Sequence, residues 1–233
     1  SDSYFQHGVG DLTLMLSWSD VYEQSEDGLS NVHLYARAGL MIPTSERRNQ
    51  DNLLSIPLGN DRAWGLPLVG GMDLYFENKL RIGASTDILL LFNEDGERRL
   101  RTKTEQTELL IPRSTMATRE PGTQLRISLI GERTKIADVM DIGIAYQGSF
   151  RSEDKFSIDD PAWDDADTGI VNSSERFQET SYHNLIGHVG LNWDDADGSR
   201  FAPKIDLFYK YPLKRGKRVA TYKTIGANVC FNF

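Results

Sequence analysis

The sequence predicts an all-β fold, an antiparallel up-and-down transmembrane β-barrel of about 10–12 strands, and three observations predict it. Nine stretches alternate apolar and polar residues with a period of two, so that each, as a strand, carries one apolar and one wettable face. The polar parity is rich in small residues, as at Gly39, Gly71, Gly83, Ser85, Gly143, Ala145, Ser149, Gly190 and Gly226. Such residues weaken a strand that faces water but suit the crowded interior of a narrow barrel. The connections alternate between short and long, as they do when the two rims of a barrel face different compartments.

Composition sets the outer limits. Only 39% of the 233 residues are hydrophobic, and the mean hydropathy is −0.44. No run approaches the ~18 apolar residues of a membrane helix, which excludes a helical membrane protein. A membrane barrel is not excluded, because its strands alternate lipid-facing with lumen-facing residues and their average hydropathy stays low. A net charge of −8 argues against nucleic acid as a partner, since phosphates demand a basic field. Cys230 is the single cysteine, so there is no intrachain disulfide, and no spacing suggests a metal or a cofactor. With no repeat beyond the hairpin and no low-complexity linker, residues 1–233 read as one domain.

Taken in order, Gly10 to Trp18 sets Leu12, Leu14, Leu16 and Trp18 against Thr13, Met15 and Ser17, and a turn follows near Gly28. Val32, Leu34, Ala36, Ala38, Leu40 and Ile42 form the next apolar face, opposite His33, Tyr35, Arg37 and Gly39. Pro43 ends that strand, and a polar segment runs to about Ala63. Leu66, Leu68, Gly70, Met72, Leu74 and Phe76 oppose Gly71, Asp73 and Tyr75. After the tight turn Glu77, Asn78, Lys79, the return strand sets Ile82, Ala84, Thr86, Ile88 and Leu90 against Arg81, Gly83, Ser85 and Asp87. Residues 93–122 have no lipid face and read as a hairpin extension or a long loop outside the apolar band. Leu125, Ile127 and Leu129 oppose Arg126 and Ser128. A turn at Thr134 and Lys135 leads to Met140, Ile142, Ile144 and Tyr146, opposite Asp141, Gly143 and Ala145.

The Asp-rich stretch 151–176 is the longest loop. Leu185, Val189, Leu191 and Trp193 then oppose His188 and Gly190. Beyond an Asp-rich turn, Ile205, Leu207, Tyr209 and Tyr211 oppose Lys204, Asp206 and Lys210. A last turn at Lys214 to Lys217 is short where the alternation calls for a long loop. The closing strand, Val219 to Phe233, places Ile225, Ala227, Val229, Phe231 and Phe233 on one face. No stretch has a helical pattern.

Alternation alone fits a soluble β-barrel or sandwich equally well. Aromatics near strand ends favour the membrane, where they form girdles: Trp18, Trp64, Phe76, Phe92, Tyr146, Phe150, Trp193, Phe201, Tyr211 and Phe233. Strand direction gives one further expectation, one or three more strands ahead of Ser1, so that nine visible strands become ten or twelve.

A terminal strand that closes on Phe233 resembles the C-terminal signature of bacterial outer-membrane barrels, in which the final aromatic is an assembly signal. The run Gly8, Val9, Gly10, Asp11, Leu12, with Ile42, Pro43, Thr44 and Ser45 at the end of the second strand, resembles a family of outer-membrane transporters related to phenol-degradation pathways. There a Gly-x-Gly-Asp-Leu start and a Leu-Pro-Thr-Gly strand end recur; here Ser45 stands in place of the last Gly. The resemblance implies a location in the outer membrane, with lipid and the barrel-assembly machinery as partners, and a passive channel for small solutes, hydrophobic or aromatic ones included.

The lumen-lining candidates are His33, Arg37, Asp73, Arg81, Asp87, Arg126, Asp141, His188, Lys204, Asp206 and Lys210, with Glu132 on the same face. They can line a narrow pore or neutralise one another and plug it. The alternative function is a non-conducting accessory barrel that anchors an envelope or surface assembly through the loops 93–122 and 151–176. An enzyme is not expected. A hydrolase needs Ser and His in reach of each other, and nothing in the sequence brings Ser85 or Ser149 to His33 or His188.

Overall fold

The computed structural model describes residues 10–24, 28–45, 59–106, 113–136, 139–163, 165–192, 202–214 and 222–232. Its elements are β1 (Leu12–Glu23), β2 (Leu29–Ile42), β3 (Gly65–Phe76), β4 (Leu80–Leu91), β5 (Glu94–Leu100), β6 (Arg113–Glu120), β7 (Gln124–Ile136), β8 (Met140–Arg151), β9 (Lys155–Ile158), α1 (Asp165–Asn172), β10 (Thr180–Asn192), β11 (Ala202–Lys214) and β12 (Thr224–Asn232). Nine strands form one antiparallel sheet in the order β1-β2-β3-β4-β7-β8-β10-β11-β12. Each pairs with the next in chain order, an up-and-down meander, and these are the nine stretches in which the sequence alternates. Among the described residues the sheet does not close: β1 and β12 are its two edges.

The direction of the strands gathers the long connections, 43–64, 92–123 and 152–179, on one rim with the β11–β12 link. The turns β1–β2, β3–β4, β7–β8 and β10–β11 share the other rim.

The two faces of this sheet are inverted relative to a water-soluble one. On the apolar parity, Leu16 and Ile225 are each 83% exposed, and Leu14, Ile82, Leu129, Ile144, Leu207 and Val229 are also exposed. On the polar parity Asp73, Asp141, Ser149 and Asn184 are buried, Asp73 with only 5% of its surface accessible. Burying charge while leaving aliphatic side chains outside reverses the order that water imposes.

The apolar core of the described residues lies elsewhere. Strands β5, β6 and β9 make a second antiparallel sheet, and with α1 they enclose Leu100, Ala117, Phe156, Trp163 and Val171, flanked by Ile158 and Phe177. The sequence reading of 93–122 as a hairpin extension therefore holds for β5 and β6. The reading of 151–176 as a loop is corrected, since it supplies β9 and α1 to the same body. So is the expectation of no helix. An eight-residue helix is too short to show a period, and α1 is held by neighbours instead. Asn172 accepts from the Phe156 N–H at 2.8 Å and donates to its carbonyl at 3.0 Å, while Arg101 donates to the Ile170 carbonyl at 2.8 and 3.0 Å at the helix C-terminus.

Smaller corrections concern element ends. β1 runs on to Glu23, so Trp18 lies in mid-strand, opposite Ala36. The turn expected at Thr134 and Lys135 falls inside β7, at a register shift where Lys135 has φ +52°. Trp64, Phe92, Phe150 and Tyr211 do stand near the long-connection rim, and Phe76 at the opposite one. Trp193, Phe201, Phe233 and the turns at 194–198 and 215–217 lie outside the described residues.

Candidate functional site

Strand register places all eleven lumen-lining candidates on the polar face, because residues paired across antiparallel strands share a face. His33 pairs with Asp73 and Asp73 with Gly83; Arg81 pairs with Glu132, Glu132 with Gly143, and Gly143 with His188. Arg37 connects through Val69 to Asp87 and Arg126, and Asp141 through Gly190 to Asp206. Lys204 and Lys210 pair with Cys230 and Thr224.

Toward the short-turn rim these groups form a compact ionic cluster. Arg81 reaches Asp73 Oδ1 from Nη2 at 3.0 Å and from Nε at 3.2 Å, and reaches Glu132 Oε2 from Nη1 at 3.3 Å. The imidazoles close it from two sides, His33 Nδ1 lying 3.7 Å from Asp73 Oδ2 and His188 Nε2 lying 3.7 Å from Glu132 Oε1. Asp141 accepts the Lys135 N–H at 2.8 Å. The small residues of this face make the cluster sterically possible. The space a Cβ would fill at Gly83 is taken by Asp73, at Gly143 by His188, at Gly190 by Asp206, at Gly71 by Tyr35 and at Gly226 by Phe208.

Above the cluster, toward the long-connection rim, the polar face lines a half-open cavity of about 570 Å³. Thr13, Met41, Val69, Asp87, Arg126, Ser149 and Tyr182, from seven different strands, all contribute to its wall. Seven flat strands would span roughly 29 Å at ~4.8 Å per strand. A single cavity of this size can touch them all only because the sheet curls around it.

No protein-family model matches this chain, and no curated protein matches it. The site must be read from its own groups.

The rim of the cavity is fastened by two anchors. Asp154 is buried and accepts from Arg119 Nη2 at 2.8 Å, from Arg151 Nη2 at 2.7 Å and from the Gly122 N–H at 2.8 Å. Burial pushes its carboxyl up, but the amide and the two guanidinium groups outweigh burial and hold it below the usual carboxylate range. At the opposite side Asp11 accepts from Ser45 Oγ and from the Asn60 N–H, both at 2.6 Å. Thr44 Oγ1 donates to the Gly10 carbonyl at 2.8 Å and accepts from the Leu12 N–H at 3.0 Å. The two short motifs of the first strands, far apart in sequence, are thus one hydrogen-bonded unit. The β5–β6–β9–α1 body forms a cap on the long connections, and its Arg98, braced by Glu94 within the same strand, links it to this corner through Asp61.

Among the described residues, Ser149 Oγ and His188 Nε2 are both buried without a hydrogen-bond partner. No group of three or more His, Cys, Asp or Glu side chains suited to a metal occurs among the described residues. The sequence reading did not single out Arg151, Tyr182, Met41 or Asp154. Continuing the inner parity two residues past Ser149 in β8, past Gly39 in β2 and ahead of Asn184 in β10 would have placed Arg151, Met41 and Tyr182 on the inner face; nothing local marks Asp154. His183 lies within β10, where its Nδ1 is 2.6 Å from the Tyr146 hydroxyl.

Proposed function

We propose that this protein is an outer-membrane β-barrel whose polar face is its lumen and which acts as a passive channel for small solutes. The observation that carries the reading is the inverted sheet, with charges buried inside and aliphatic side chains exposed outside. Burial of one Leu or Ile side chain is worth about 1.5–3 kcal/mol, and soluble monomers rarely expose contiguous apolar patches above a few hundred Å². A face that presents Leu14, Leu16, Ile82, Leu129, Ile144, Leu207 and Ile225 is supplied with that environment by lipid tails.

β1 and β12 run in the same direction, so antiparallel closure calls for an odd number of further strands between them. One or three give a barrel of ten or twelve, the size expected from the sequence. In such a barrel the cavity is the vestibule and the Asp73–Arg81–Glu132 cluster the constriction.

Planar-bilayer recording tests the reading. Purified protein should give discrete conductance steps, and Arg81→Ala, which removes the centre of the cluster, should raise the unit conductance at least twofold. Silence from both proteins overturns the channel.

One observation favours the alternative, a non-conducting barrel that anchors an assembly. The connections 93–122 and 151–176 fold into one body with its own apolar core, a ready-made surface for a protein partner. This alternative predicts silent membranes and an unchanged barrel when the cap is excised.

A further inference from the structure

We propose that the vestibule cavity is a binding site for small amphipathic monocarboxylates, with Arg126 as the carboxylate receptor. The proposal deepens the channel reading by naming what the vestibule takes, and it rests on that reading only for where the ligand goes next.

Three features of the cavity point to an anion with an apolar body. First, Arg126 is an unused receptor. Among the described residues its one ionic neighbour is Asp87, whose Oδ2 lies 3.7 Å from Nη1, beyond hydrogen-bond distance, and just over half of the Arg126 side chain is accessible. A guanidinium offers five donors in a planar fork that matches a carboxylate, and here none is engaged by the protein.

Second, Ser149 stands beside it. It is opposite Arg126 across the β7–β8 pair, lines the cavity, and is buried with its hydroxyl lacking any hydrogen-bond partner. An orphaned buried hydroxyl is a desolvated donor with nothing to offset that cost, and a carboxylate oxygen held by Arg126 would offer it an acceptor in the same cavity. Third, the cavity wall carries two cations, Arg126 and Arg151, against one carboxylate, Asp87. Arg151 lies one row toward the rim, where it shares the carboxylate of Asp154 with Arg119.

The rest of the wall sets the ligand's body. Met41, Pro67, Val69 and Leu89 offer an apolar side, and the volume of about 570 Å³ falls in the range of small-molecule sites. Asp87 gives the site a second consequence: next to the receptor it disfavours a dianion, whose second charge would meet it. The class is therefore a monocarboxylate with a short alkyl or aryl tail.

Titration calorimetry on the purified protein in detergent micelles tests this, with hexanoate as the probe and hexanol as its neutral counterpart. Hexanoate should bind at least tenfold more tightly than hexanol. Arg126→Gln should weaken hexanoate at least tenfold and leave hexanol within twofold. Arg126→Lys should recover part of the loss, and Ser149→Ala should cost about threefold. Thr13→Trp, which fills the cavity from the edge strand, should abolish binding of both. Equal affinities for hexanoate and hexanol, or hexanoate binding unaffected by Arg126→Gln, overturn the proposal. Parallel bilayer recordings keep the two readings apart. Binding in a silent protein supports the site and contradicts the channel, whereas conductance without hexanoate binding contradicts the site alone.

Discussion

Gly143 carries no side chain because the His188 ring of the neighbouring strand occupies the place its Cβ would take. The same relation joins Gly83 to Asp73 and Gly190 to Asp206, whereas Gly70, Gly131 and Gly187, on the apolar parity, have open space there. A substitution should therefore read out which face a glycine serves. Gly143→Ala is expected to cost about 1–3 kcal/mol through overpacking. Gly187→Ala should be neutral or stabilise by up to ~1 kcal/mol, because glycine weakens a strand interior. Urea unfolding in micelles, followed by circular dichroism, checks both.

Arg81 is the second test at this scale. Its removal leaves Asp73 and Glu132 facing each other without their shared cation. Since Arg81 is about one-third exposed, the loss should be near the low end for a broken buried pair, about 3 kcal/mol. The sequence made the small residues of the inner face visible, since each falls on the polar parity of its own strand. It did not reveal which side chain fills each gap, because the pairing of Gly143 with His188 depends on the register between strands that no local pattern sets.

The cap is an element of a different kind from the strands beneath it. Its core of Leu100, Ala117, Phe156, Trp163 and Val171 is apolar and buried, the arrangement of a water-soluble domain. Phe156→Ala should cost about 3–5 kcal/mol of cap stability and expose 93–122 and 151–176 to protease while the nine-stranded sheet stays intact, as mass spectrometry of the fragments would show.

The cap should also be sensitive to acid. A carboxyl whose folded-state value lies below its unfolded one contributes stability that is fully present above the unfolded value, about 3.9 for Asp, and is lost as pH falls through the folded value. Asp154 is held low in this way by Gly122, Arg119 and Arg151, and exposed Asp160 is held low by the Ala162 N–H and the Thr115 hydroxyl. Protease nicking of the cap should therefore stay constant from pH 7 to about pH 5 and rise below about pH 4. Asp154→Asn should be nicked faster at neutral pH and respond less to acid.

The nine membrane-length strands were legible because a period of two persists through each of them. The cap was not, because β9 has four residues, α1 has eight, and their apolar residues come from two separate connections. A pattern reader sees two polar loops; only packing joins them. Asp154, the residue that fixes the cap to the rim, looks like one more acid in an acidic stretch.

At the scale of the whole molecule, the central claim is that the sheet is turned inside out, its apolar parity toward lipid and its polar parity toward an enclosed lumen. Spin-label accessibility in lipid bilayers tests this most directly, on a Cys230→Ser background with single cysteines placed along β4 and β8. Labels at positions 82, 84, 142 and 144 should collide with oxygen dissolved in the lipid and be shielded from a water-soluble nickel complex. Labels at positions 83, 85, 143 and 145 should show the reverse, giving an alternation with a period of two. If both sets are equally open to the nickel complex, or the two parities are exchanged, the account is contradicted and the sheet belongs to a protein that keeps its apolar face against another partner.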